Sequence, residues 1–146
     1  MADTHRRILN KGPHQHEEYD AGAAGIYPGM LVRVNGSDVV VVHDDEGADC
    51  AVMVAEEDAL QGDEVSDVYT SGDPVMIAFP GKGSVVNVLV ASGTNLAIGD
   101  KLCSGGDGTW IASDDATSGV TATTLAVCTE ATDTLSGDTL IAARIW

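Results

Sequence analysis

The stretch Val85-Val-Asn-Val-Leu-Val90 decides the fold. Four of its six residues are valines and a fifth is leucine, so it is a short β-branched run suited to a pleated strand. It does not alternate between apolar and polar residues, and neither does Val39-Val-Val-Val42. A strand that is apolar on both sides needs cover on both, whereas a small antiparallel sheet normally leaves one face wet. Two arrangements supply that cover: a closed structure with loops across its outside, or a neighbouring subunit.

Outward from this strand, similar runs recur between turn residues. The spacing predicts strands over Met30–Val34, Asp38–His43, Cys50–Ala55, Pro74–Phe79, Ser84–Ala91, Asn95–Cys103, Thr109–Ala112, Val120–Thr129 and Thr139–Trp146. Between them lie Asn35-Gly36, Asp44-Asp-Glu-Gly47, Gly72-Asp-Pro74, Gly81-Lys-Gly83, Gly99-Asp100 and Gly105-Gly-Asp-Gly108, where Gly and Asn tolerate positive φ and Asp caps local turns. Only Glu56-Glu-Asp-Ala-Leu60 reads as helical, for about a turn. The fold class is therefore all-β, a small β-barrel or β-sandwich.

The amino-terminal residues 1–25 differ in composition. They are polar, contain Gly12-Pro13, and end in Ala21-Gly-Ala-Ala-Gly25, whose small side chains offer little area to a core. An extended N-terminal arm is expected here, weakly ordered unless a partner holds it. The change at Ile26-Tyr-Pro-Gly-Met30 marks the start of the folded body, residues 26–146.

At 146 residues the chain suits one domain. It has 23 acidic residues against seven Lys and Arg, for a formal net charge of −16. Three of the seven basic residues, Arg6, Arg7 and Lys11, lie in the arm, so nearly all the surplus negative charge falls on residues 21–146. Such a body repels phosphate backbones and anionic lipid, so neither nucleic acid nor a membrane is expected as a partner. Asp supplies 16 of the 23 acids and Lys only three side chains, a pattern suited to a surface kept soluble in concentrated salt. Molar salt screens such charge within about 3 Å, and a high-salt or marine source is expected. No apolar run approaches the roughly 18 residues of a membrane helix, which points to a soluble compartment. Cys50, Cys103 and Cys128 are odd in number and lie in apolar stretches, as small buried hydrophobes do.

No motif carries catalysis. Gly81-Lys-Gly-Ser84 lacks the spacing of a P-loop and no helix follows it. No GxSxG elbow occurs, and no local pattern sets a nucleophile beside its base. In His14-Gln-His16 two imidazoles fall on one face of an extended segment, with Glu17 and Glu18 directly after, but no third firm ligand stands at a fixed distance. The acids at Asp44-Asp-Glu46, Glu56-Glu-Asp58 and Asp63-Glu64 do not match an EF-hand loop. No catalytic residue, cofactor or metal site is expected.

The middle of the chain, read as a unit, carries a resemblance. The order Ala55-Glu-Glu-Asp-Ala-Leu-Gln-Gly62, Val68-Tyr-Thr-Ser-Gly-Asp-Pro-Val75, Asn87-Val-Leu-Val-Ala-Ser-Gly93, Ile98-Gly-Asp-Lys-Leu102 and Ser104-Gly-Gly-Asp-Gly-Thr109 resembles the head decoration, or cement, proteins of tailed viruses. Ala126-Val-Cys-Thr-Glu-Ala131 and the terminal Leu140-Ile-Ala-Ala-Arg-Ile-Trp146 continue the pattern. The resemblance implies a virion structural protein, made in the host cytoplasm. It would attach to the major capsid protein on the capsid exterior, commonly as a homotrimer. It brings no catalytic residues. It gives the arm a role across the shell, with Arg6, Arg7 and Lys11 as electrostatic contacts. Ile26, Tyr27 and Pro28, with the two all-apolar strands, are the expected protein contacts.

Three other readings compete. A turret or spike module binding a receptor or carbohydrate needs exposed aromatics, and the chain has six in all, with Trp110 and Trp146 placed in strands. An enzyme on a β-scaffold needs a pocket gathering His and carboxylates. A lipoyl- or biotinyl-type carrier needs a lysine on a hairpin tip with flanking residues that Lys82 and Lys101 lack.

Overall fold

A computed structural model of the chain describes residues 7–117 and 119–146. The protein is all-β. Its strands are β1 (Leu9–Lys11), β2 (His14–Asp20), β3 (Val32–Val34), β4 (Val40–Val42), β5 (Val54–Ala55), β6 (Pro74–Pro80), β7 (Val85–Val90), β8 (Lys101–Ser104), β9 (Trp110–Ala112), β10 (Ala126–Cys128) and β11 (Thr139–Ile145). One 3-10 turn, Ser113–Asp115, follows β9.

Five strands close into a barrel in the order β7-β11-β10-β8-β9, and a parallel contact of Val90 with Trp110 brings β9 back to β7. Strand β1 adds to the outside of β7. A three-stranded sheet, β2-β6-β5, and a two-stranded ribbon, β3-β4, complete the fold. Two apolar clusters result. Val86, Val88, Val90, Leu102, Trp110, Ala126, Ala143 and Ile145 belong to the barrel core. Ile26, Met30, Val32, Val40, Ala55, Tyr69, Val75 and Ile77 form a satellite core between the outer sheet and the ribbon.

The cover that β7 needs comes from the chain itself. Val86, Val88 and Val90 pack in the barrel core, and Leu89 also packs against the satellite core. Opposite β11, its free edge is shared by three separate segments. The N–H groups of Asn87, Leu89 and Ala91 donate to the carbonyls of Ile8 (2.7 Å), Gly29 (2.9 Å) and Trp110 (3.0 Å).

Gly29 ties the two cores together. Its N–H donates to Ala55 (2.8 Å), and its carbonyl also accepts from Trp110 Nε1 (3.2 Å). Its φ is +90°, and a Cβ there would lie 2.5 Å from Leu140 Cδ2 and 2.9 Å from the Leu89 nitrogen. Only glycine fits this junction.

Several expectations are corrected. Within the expected arm, residues 9–11 and 14–20 are strands, with β2 paired to β6 along its whole length from His14↔Pro80 to Asp20↔Pro74. Ile8 and Ala21 are buried in the two cores, so the body itself holds this segment and the small-residue stretch does contribute to a core. Glu56–Leu60 is not helical. Glu56 and Asp58 are buried, and the chain turns there, with the N–H groups of Gln61 and Asp63 donating to the Asp58 carbonyl. Strand β8 starts at Lys101 because residues 97–100 form a turn, in which the Ala97 N–H donates to Asp100 Oδ2 (2.8 Å), while Leu96 makes an isolated bridge to Thr132. Of the stretches expected as Cys50–Ala55 and Val120–Thr129, only Val54–Ala55 and Ala126–Cys128 are strand. All three cysteines are free, and Cys103 and Cys128 are buried.

Candidate functional site

The residues singled out from sequence fall into two places. Arg6 lies outside the described residues. Arg7 and Lys11 are exposed on and beside β1, which is fixed to β7 by pairing and by Asn87 Nδ2 donating to the Arg7 carbonyl (2.5 Å). Ile26 is only 1% exposed and pairs its backbone with Tyr69, so its side chain is occupied by the satellite core; Pro28 is buried too. Tyr27, 40% exposed, is the member of that triplet that offers surface. It borders a groove of about 400 Å³ lined with Pro28, Val65, Leu89, Asp138 and Leu140.

A second groove, of about 430 Å³, runs beside β1 and β2 and is lined by Arg7, Lys11, His14, His16, Glu56 and Glu57 among others. The extended backbone of β2 sets His14 and His16 on one face, their rings edge to face with centroids 4.5 Å apart. His16 Nδ1 contacts Glu56 Oε2, and Glu57 Oε2 accepts the Ile8 N–H (3.0 Å). Burial pushes the Glu56 carboxyl above its usual range, against the lowering effect of His16. Among the described residues no three His, Cys, Asp or Glu side chains are arranged to hold a metal ion.

His43 has a structural place. It is buried, its Nδ1 lies 2.8 Å from Ser104 Oγ, and desolvation holds the imidazole below the usual histidine range. Among the described residues no helix is long and apolar enough to cross a membrane.

Lys82, Arg144 and Trp146 were not expected as contact residues, yet they gather with Lys11 at one corner. Val85 is in register with Lys11 on one side and Arg144 on the other. Arg144 Nη1 donates to the Gly83 carbonyl (3.1 Å), and the Gly81 N–H in the same turn donates to Pro13 (2.9 Å). The sequence did hold a signal for this corner. Residues 4–16, 74–99 and 139–146 contain no Asp or Glu, and they carry five of the seven basic residues.

No protein-family model and no curated protein matches the chain. Among solved structures it is similar to the N base of head fiber gp8.5 of bacteriophage phi29, with a TM-score of 0.58. The likeness covers 92% of this chain and 95% of the phage chain at 17% identity. At that identity the two share a fold.

Proposed function

We propose that this protein is a non-catalytic structural component of a tailed-virus particle that binds the outside of the icosahedral head and stabilises it, as a homotrimer on the major capsid protein. The observation that carries the reading is the shared fold, which takes in nearly the whole of this chain and of a phage head-fibre base. The order of turn and strand motifs that resembles cement proteins supports it independently. The mechanism needs no bond chemistry. Binding the assembled shell better than its open alternatives stabilises the particle by mass action, and contacts to several capsid subunits multiply a weak single contact.

Co-sedimentation of the purified protein with bare heads of its own virus tests the proposal. Saturable retention with a raised disruption temperature of the particle is expected; failure to sediment with the heads at saturating protein overturns it. Because β1 and β2 belong to the sheets, the electrostatic part of the arm is tested by Arg6→Ala and Arg7→Ala rather than by deletion. The likeness to a fibre base favours a second reading, in which the chain seats a projecting turret or spike that binds a receptor or carbohydrate. The number of copies per head separates a cement from a five-fold turret.

A further inference from the structure

We propose that the corner formed by Lys11, Lys82, Arg144 and Trp146 docks an acidic polypeptide segment of a partner protein. This names the chemistry of the partner that the capsid reading leaves open, and it is testable apart from that reading.

Charge is segregated along the chain. The three acid-free stretches hold five basic residues and no acidic side chain, while the rest of the chain holds two basic residues and all 23 acidic side chains. Strand pairing draws these stretches together. The Gly81 N–H and Ser84 Oγ both donate to the Pro13 carbonyl, at 2.9 and 2.8 Å. The Gly83 N–H donates to Ile145 (2.9 Å), and the Ile145 N–H donates to Ser84 (2.9 Å). Lys11, Lys82 and Arg144 are all exposed at this knot, and none of them forms an ion pair among the described residues. Arg33, by contrast, is bound through two nitrogens to Asp44, at 2.9 Å each. The body's negative field therefore turns anionic partners away over most of its surface and admits them here.

The same corner favours a polypeptide over a phosphate polymer. A long polyanion would cross the acidic body, beginning with Glu56, Glu57 and Asp58 in the adjoining groove. A short acidic segment needs only the corner. Trp146, 66% exposed, directly follows β11 two residues beyond Arg144, with its N–H donating to the Leu125 carbonyl (3.0 Å), and adds apolar area near the cations. Arginine and tryptophan together are the residue types on which protein interfaces concentrate their binding energy.

The test uses the full chain and an octaglutamate peptide, followed through intrinsic fluorescence. Trp110 is buried in the barrel, so a change on binding reports Trp146. Saturable binding is expected in low salt, weakened at least about tenfold by 0.3 M NaCl. Arg144→Gln and Arg33→Gln each remove one positive charge, Arg33 lying on the separate β3-β4 ribbon; the first is expected to weaken binding about fivefold or more and the second to leave it within about twofold. Lys11→Glu/Lys82→Glu/Arg144→Glu should abolish binding while keeping the wild-type circular dichroism. Absence of saturable binding up to about 1 mM peptide overturns the proposal, as does equal weakening by Arg33→Gln. Equal or tighter binding of an eight-residue oligothymidylate also overturns it, in favour of a phosphate site.

Discussion

The barrel and the satellite sheet solve the same problem by different means. In the barrel, β7 to β11 close on themselves, so the backbone edges are consumed and one apolar cluster fills the interior. The satellite core has no closed sheet around it. Its walls are an open three-stranded sheet and a two-stranded ribbon, joined by irregular segments such as residues 22–29. Its strand β2 is exposed along almost its full length and is held mainly by its backbone ladder to β6. Closure allows the barrel to be built from plain valine runs, whereas the satellite depends on particular polar contacts, such as Tyr69 donating to the Glu56 carbonyl (2.6 Å).

The largest effect that separates the two regions is expected from Trp110→Ala. This side chain is fully buried in the barrel, and truncation should cost about 3–5 kcal/mol and unfold both regions together, as a thermal melt would show. Gly29→Ala comes next, at about 2–4 kcal/mol, since it combines a positive φ with a Cβ 2.5 Å from Leu140. Because Gly29 bridges the cores, it should lower hydrogen-exchange protection in both. If only one region responds, the junction is less tightly coupled than its bonds imply. Tyr69→Phe should cost about 1 kcal/mol and loosen the amides of β2, β5 and β6 while β7, β10 and β11 stay protected.

The smallest effect concerns pH. The folded His43 imidazole lies below its unfolded value of 6.5, so the native state prefers the neutral ring. Desolvation drives this shift; Asp44 and Asp45 oppose it, and Arg33 assists. Its contribution is therefore present above pH 6.5 and is lost as pH falls below that value. His43→Gln should flatten this part of the stability profile, read as the difference from wild type in urea melts between pH 7 and 5.

The barrel was legible in sequence because its strands carry β-branched runs bounded by turn residues, and β7, β9 and β11 fall where the pattern puts them. Strand β2 was not legible. His14-Gln-His-Glu-Glu-Tyr-Asp20 has no apolar alternation, since neither face of it enters a core apart from the partly buried Tyr19. Its strand character is imposed by β6. The Glu56–Leu60 stretch misled in the opposite sense, because local helix propensity yields to the burial of Glu56 and Asp58. At the candidate surface, composition marked Ile26-Tyr27-Pro28 as a boundary but held no information on which side chain faces out. The cationic corner could be read only after pairing had shown that three distant acid-free stretches meet.

The shared edge of β7 also sets a timetable. Arg7 and Asn87 are 80 residues apart, and Gly29 and Trp110 are 81 apart. At about 5–20 residues per second of synthesis, the segment around Arg7 is made roughly 4–16 s before the strand it pairs with. During that interval Ile8 has no pocket, and β7 in turn emerges before Trp110 can close the barrel behind it. The barrel therefore closes only once β9, β10 and β11 have followed β7, and until then the nascent β7 is open to chaperones and to misassociation.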